Sequence, residues 1–247
     1  MDSSQPTELS VASILTLLAT GDLDVQGMLP WSSNYTLLAT IRNDGLEGLA
    51  VYKPRRGERP LWDFPRGTLC QREVAAYLIS ESMGWGLVPP TILRDGPYGV
   101  GSVQLFIDAD QEAHLFTMQK EGGFDQVIER LAVFDVLANN ADRKSGHCLK
   151  GNDGRLWAID HGICFHVESK LRTVLWDYAG QPLARGILDD LRALRDQFDA
   201  KDASFEMLES LLAADEVRAL RRRLDRLIET GKHPEPGLGR SVPWPPV

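Results

Sequence analysis

Two short apolar runs, residues 36–41 and 49–53, flank the tetrapeptide Arg42-Asn43-Asp44-Gly45. Asn, Asp and Gly take up positive φ at little cost, so this spacing predicts a tight antiparallel hairpin. With residues 25–29 ahead of it, the beginning of the chain reads as a small antiparallel sheet. From residue 68 the apolar period changes. Val74, Ala75, Tyr77, Leu78 and Ile79 fall on one face of a helix over 68–83, which Gly84 and Gly86 close. Pro89-Pro90 bars its continuation, and residues 101–107 read as a buried strand. Beyond Gly122-Gly123 helical patterns dominate, at 125–139, 189–198, 204–213 and 216–228, and a short helix at 10–19 opens the chain. The expected fold class is α+β in two lobes. A helical extension at 1–24 precedes a sheet lobe with one helix at 25–110. A mainly helical lobe at 111–230 follows, and then a Pro/Gly-rich tail at 231–247 that is extended and not helical.

With 247 residues, 43% of them hydrophobic, the chain can bury a sizeable core. Its net charge of -8 argues against a general nucleic-acid binder, which needs a basic surface to meet phosphates. No run of 18 or more apolar residues occurs, and the N-terminus lacks the basic-then-apolar layout of a signal peptide. Three cysteines, Cys70, Cys148 and Cys164, form no disulfide framework. A cytosolic protein without integral membrane contact is expected.

Chemistry concentrates in residues 139–147 and 156–162. Asp142 follows a helical run, and Asp160 follows the apolar segment Leu156-Trp157-Ala158-Ile159, so both aspartates fall in loops. Phosphotransferases need one carboxylate to orient or accept the proton of an attacking hydroxyl and another to hold a metal at the phosphates. Asp142 fits the first role and Asp160 the second. Arg143 is placed to neutralise charge, and Lys144 to meet the transferring phosphoryl group. Asp135 and Asn140 offer a rival D-x-x-x-x-N spacing, but Asp135 lies inside an apolar helical run, so Asp142 is preferred. Lys53 ends a strand and Glu73 lies on the following helix. A lysine that contacts nucleotide phosphates is commonly held by such a glutamate. The polar turn Ser32-Ser33-Asn34, one strand before Lys53, sits where a phosphate-covering loop would lie.

Asp142-Arg143 and Ile159-Asp160-His161-Gly162 resemble the Asp-Arg catalytic loop and the Ile-Asp-x-Gly metal loop of the phosphatidylinositol 3-/4-kinase-like superfamily and its bacterial relatives, including HipA-type kinases. Residues 139–144, 160–166 and 170–176 further resemble actinobacterial proteins described as lipid-kinase-like. The resemblance covers most of residues 25–180 and is sharpest over 139–162. It implies a kinase-like fold that binds ATP with magnesium or manganese and phosphorylates a hydroxyl on a protein or a small molecule. It also implies that Leu105, Phe106 and Ile107 lie near the adenine. Where the family carries asparagine five residues after the catalytic aspartate, this chain has His147. A nitrogen ligand suits manganese or zinc better than magnesium.

Two further readings remain. A nucleotide-binding pseudokinase that regulates a partner has the same sequence signature. His147, Cys148, His161, Cys164 and His166 also offer nitrogen and sulfur donors for a zinc module. Arg218, Arg221, Arg222, Arg223 and Arg226 flank the apolar stripe Val217, Leu220, Leu224, Leu227 and Ile228, and read as the solvated face of a packed helix. Trp62, Trp85, Trp157 and Trp176 read as packing residues. Lys170 and Arg172 fall where a substrate-binding segment would lie.

Overall fold

The computed structural model describes residues 9–29 and 35–247. Ser32, Ser33 and Asn34 therefore lie outside the described residues. The chain divides into two units, Met1–Arg59 with Pro90–Phe106, and Pro60–Pro89 with Ile107–Val247. The expected lobes grouped helix 68–83 with the sheet, whereas this division groups it with the helical unit.

In the first unit, helix α1 (Val11–Thr20) starts at Ser10, whose Oγ accepts the Ser13 N–H at 3.1 Å. An antiparallel sheet follows, built from β1 (Asp22–Met28), β2 (Leu37–Asn43), β3 (Leu46–Pro54), β4 (Thr91–Gly96) and β5 (Gly99–Leu105), in the order β1-β2-β3-β5-β4. Asp44 and Gly45 form the predicted hairpin turn at φ 47° and 80°. Leu17 and Leu18 of α1 pack on Leu37, Ile41, Ala50, Tyr52 and Val103. Strand side chains alternate, so Ala50 and Tyr52 facing this core put Val51 and Lys53 on the opposite face. Gly101 is required where β5 crosses the end of β3. A Cβ there would lie 2.5 Å from the Lys53 carbonyl oxygen and 2.7 Å from Pro54 Cα.

The second unit holds α2 (Leu69–Ser82), α3 (Leu115–Glu121), α4 (Asp125–Ala138), the ribbon β6 (Cys148–Lys150) and β7 (Leu156–Ala158), and then α5 (Arg185–Ala200), α6 (Ala203–Leu211) and α7 (Ala214–Thr230). Strand β4 and helix α3 have no counterpart in the sequence reading, because both are short and lack a periodic apolar pattern. On α7, Val217, Leu220, Leu224 and Leu227 are buried, as the stripe predicts. Each contributes about 1.5–3 kcal/mol of apolar burial. Arg218, Arg222 and Arg226 are exposed, but Arg223 turns inward, donating from Nε to the Leu137 carbonyl at 2.8 Å and from Nη1 to the His166 carbonyl at 3.3 Å. Trp85 and Trp157 are buried, whereas Trp62 is 93% exposed with Lys170 Nζ 5.2 Å from its ring centroid. Packing was the wrong expectation for Trp62, which lies outside any helix or strand.

Helix α2 is anchored through charge. Arg72, 1% exposed, pairs with Glu216 of α7 and donates from Nη1 to the Cys164 carbonyl at 2.6 Å, while its guanidinium covers the Phe64 ring. Glu216 also accepts the Ala213 N–H at 3.0 Å and so caps α7. The tail after α7 is extended and packed. Backbone N–H groups of Ser145 and Thr173 donate to the carbonyls of Pro246 and Ser241. His233 is buried, stacked on Tyr178 and 3.6 Å from Glu129. Burial lowers its pKa below the ordinary histidine value, against a smaller opposing pull from Glu129. The unfolded chain therefore takes up the proton more readily, and the stability His233 contributes above pH ~6.5 is lost as pH falls from that value through the lower pKa of the folded chain. His233→Gln should make the fall in Tm between pH 7.5 and 5 shallower than in the parent chain. An equal slope in both, measured by differential scanning fluorimetry, would remove His233 from the acid response.

Candidate active site

Helix α4 ends at Asn139, whose left-handed backbone (φ 52°) turns the chain out of the helix. Its side chain then ties down the segment after the second aspartate. Nδ2 donates to the carbonyls of His166 and Glu168, and Oδ1 accepts the Lys170 N–H at 2.9 Å. Asn140 does the same for the first loop, accepting the Asp142 N–H at 3.0 Å and donating to Asp135 Oδ1 at 3.0 Å.

Asp135 and Arg143 form the centre of this arrangement, and both are fully buried. Asp135 accepts from Arg143 Nε at 3.1 Å, from Asn140 and from Thr173 Oγ1 at 3.1 Å. Arg143 spends its remaining donors on the Ile159 carbonyl (2.9 Å), the His147 carbonyl (3.3 Å) and His161 Nε2 (2.6 Å). Burial disfavours its charge, but Asp135 beside it more than offsets this and holds the guanidinium well above its ordinary pKa. The sequence reading gave Arg143 the role of neutralising charge beside Asp142. The structure puts it in the core, where its donors fasten residues 142–147 to residues 159–161.

From those two segments Asp142, Lys144 and Asp160 reach solvent. Lys144 Nζ is 2.9 Å from Asp142 Oδ2, with 24% and 29% of the two side chains exposed. His147 Nε2 is 3.5 Å from Asp160 Oδ2, and 47% of the Asp160 side chain is exposed. The backbone N–H of Lys144 approaches His147 Nδ1 at 3.5 Å, which favours the tautomer that turns Nε2–H toward Asp160. Burial lowers the His147 pKa, and Asp160 pulls it back by less. His147 is therefore neutral at pH 7. Asp160 itself has φ 60°, a left-handed conformation that costs energy for a residue with a side chain and is typical of functional turns. The next residue is held from α2, where Glu73 Oε2 accepts the His161 N–H at 2.9 Å. Glu73, read from sequence as the partner of Lys53, fixes the turn that carries Asp160.

The zinc module does not fit. Among the described residues no group of three His, Cys, Asp or Glu side chains is arranged to hold a metal. His161 Nε2 receives Arg143, and both ring nitrogens of His166 are engaged, by the Asp63 carbonyl and the Glu168 N–H. Burial pushes the Cys148 thiol up to about 12 and raises Cys164 as well, so neither is a ready thiolate. A cation shared with phosphate oxygens makes a smaller demand. Magnesium is usually held by one or two carboxylates plus the substrate's phosphates, and Asp160 offers such a carboxylate in a solvent-accessible turn.

Asn139, Asn140, Asp135 and Thr173 were not singled out from sequence as a scaffold for these loops. The consecutive asparagines after an apolar helix were the available signal, since Asn both tolerates the left-handed region and bonds backbone groups. Lys53 lies in the first unit, in register with Ser102. Leu105 ends β5, and the Phe106 N–H donates to the Leu49 carbonyl.

The chain resembles known proteins at two levels. It resembles the solved Golgi casein kinase at a TM-score of 0.55 and 16% identity, covering 89% of this chain and 73% of that one. It resembles hydra Fam20, solved with sugar, at a TM-score of 0.54 and 13% identity, covering 92% and 90%. These likenesses show a kinase-like fold. Phosphatidylinositol 4-kinase gamma 4 of rice is 28% identical over 177 residues, and gamma 2 of Arabidopsis thaliana 28% over 210 residues. This chain spans 30% and 38% of their lengths. No protein-family model matches. Protein Rv2133c of Mycobacterium tuberculosis is 43% identical over 263 residues, which cover 93% of this chain and 94% of that protein. At that identity over nearly the full length of both, this chain belongs to the family of Protein Rv2133c.

Proposed function

We propose that the chain is a phosphotransferase that uses ATP and a divalent metal to phosphorylate a hydroxyl group on a protein or a small molecule. The observation that carries this reading is the buried guanidinium of Arg143, which locks the Asp142 and Asp160 segments together and leaves both carboxylates facing solvent. Asp142 orients the acceptor hydroxyl and takes its proton as the oxygen attacks. Lys144, 2.9 Å from Asp142, meets the negative charge of the transferring group. Asp160 holds the divalent cation, magnesium or manganese, which when bound neutralises charge on the phosphate oxygens. His147 steadies the Asp160 carboxylate through Nε2–H. The resemblance assigns Lys53 to the phosphates and Leu105, Phe106 and Ile107 to the adenine, and the position of Ser32-Ser33-Asn34 one strand before Lys53 adds that turn as a phosphate-covering loop.

Several findings support this reading. The fold is that of kinases, and one Golgi casein kinase structure, similar at a TM-score of 0.52, carries manganese and ADP. Partial similarity to gamma phosphatidylinositol 4-kinases agrees with the superfamily resemblance of the two loops. No helix of the described residues is long and apolar enough to cross a membrane, and Cys70, Cys148 and Cys164 are free buried thiols, which supports a cytosolic setting.

Calorimetry of ATP with magnesium and with manganese, followed by transfer of labelled γ-phosphate, tests the reading. Binding that requires metal, together with transfer, is expected. Absence of nucleotide binding refutes it. Binding without transfer favours the pseudokinase reading, which draws on His147 standing where the resembled family has asparagine. His147→Asn is expected to raise magnesium-supported activity relative to manganese, since an amide oxygen is the harder ligand. An unchanged ratio would detach His147 from metal choice.

A further inference from the structure

The second unit carries a cleft of about 800 Å³ that includes none of Asp142, Lys144, His147 and Asp160. It lies among residues 169–172, the C-terminal half of α7 and the tail. Its charge is one-sided. Lys170, Arg172, Arg223, Arg226, Lys232 and Arg240 line it, against one carboxylate, Glu235. This concentration occurs in a chain whose net charge is -8, so it is a local feature and not a general basic surface.

Proximity of like charges is unfavourable unless something offsets it. Lys170 has protein partners, with Asp63 at 3.0 Å and Glu168 at 3.7 Å. Arg172, Arg226, Lys232 and Arg240 form no ion pair with any described residue. Arg223 is the more demanding case. Its Nη2 is closed off from solvent with no hydrogen-bond partner. Burial lowers its pKa to about 10. Uncompensated cations of this kind, converging on one concavity, have the chemistry of an anion site. The volume is that of small-molecule sites and larger than a single phosphate needs.

We propose that this cleft binds a small molecule carrying two or more phosphoryl groups, at a site separate from the catalytic carboxylates. Arg172 ties the site to the catalytic segment through its backbone. Its N–H donates to the Asn140 carbonyl at 2.9 Å, and its carbonyl accepts the Arg143 N–H at 2.9 Å. Tail residues Lys232 and Arg240 contribute from the other side, and Ser241 beside them accepts the Thr173 N–H. A ligand held here touches the segments that brace residues 140–143.

The probe is inorganic tripolyphosphate, titrated calorimetrically into the full chain in EDTA, so that metal-dependent nucleotide binding is silent. Arg172→Gln and Arg226→Gln should each weaken binding by tenfold or more. Arg222→Gln, on the exposed face of α7 outside the cleft, should leave it within twofold, as should Asp160→Ala. Arg226 is exposed, so its replacement spares the fold, and an unchanged Tm verifies that. The phosphoryl groups can belong to a free molecule or to a lipid headgroup, so co-sedimentation with phosphatidylcholine vesicles containing a tenth phosphatidic acid forms a second arm. Binding of tripolyphosphate without sedimentation assigns a free ligand. Sedimentation lost in Arg226→Gln but kept in Arg222→Gln assigns a headgroup. No binding in either arm overturns the site, and so does an equal loss in Arg222→Gln, or a loss confined to Asp160→Ala.

Discussion

Asp135→Ala is expected to destabilise the second unit by about 3–5 kcal/mol, the cost of removing one partner from a buried ion pair. The size follows from what remains. Arg143 has no exposure, so its charge stays in the core facing the carbonyls of His147 and Ile159 and the ring of His161. Asn140 and Thr173 lose their acceptor in the same step. In urea unfolding the midpoint should fall sharply with little change in m. Removing both charges at once, as Asp135→Leu with Arg143→Met, should recover much of the loss, because two apolar residues leave no orphaned ion. The double variant should nevertheless be inactive, since nothing then fastens the Asp142 segment to the Asp160 segment. If Asp135→Ala costs less than about 1 kcal/mol, the pair is not the keystone described here.

Asp142→Asn carries the largest expected effect on activity. Removing a positioned general base lowers turnover by about 10²–10⁴-fold, while ATP affinity should stay within a few-fold, because the role proposed for Asp142 is toward the acceptor and not the nucleotide. Asp160→Ala should instead abolish metal-dependent ATP binding, seen as loss of the thermal stabilisation expected of the parent chain with ATP and magnesium or manganese. The two variants thus separate along different observables. Full turnover in Asp142→Asn would take the base assignment away from that residue. Metal-dependent stabilisation retained in Asp160→Ala would do the same for the ligand assignment. Both side chains are partly exposed, so neither substitution opens a cavity or strands a buried charge.

Much of the fold was legible in the chain because its signals are local. Asn43-Asp44-Gly45 specified the hairpin between β2 and β3 through φ preferences alone. The stripe Val217, Leu220, Leu224 and Leu227 specified α7 and its buried face through helical period. Placement of both aspartates in loops was equally local, since each follows a regular element that its neighbours terminate. Strand β4 was missed because a strand of six residues with mixed polarity is held by its register with β5, from Thr91 against Gln104 to Gly96 against Gly99, and not by its own pattern.

By itself the sequence determined the hairpin, the longer helices, their order and the two loops that present carboxylates, but not β4 or α3. What only the tertiary structure decided is which charges go inside. Arg143 and Lys144 are adjacent and both cationic, yet one is fully buried and the other reaches Asp142 at the surface. Arg223 is drawn inward while its neighbour Arg222 stays in solvent. A charge leaves water only where partners from distant parts of the chain are already in place to receive it. For Arg143 those partners are Asp135, Ile159 and His161, and Thr173 completes the coordination of Asp135. Their meeting is a property of the folded chain, and no sequence window long enough to define a helix contains it.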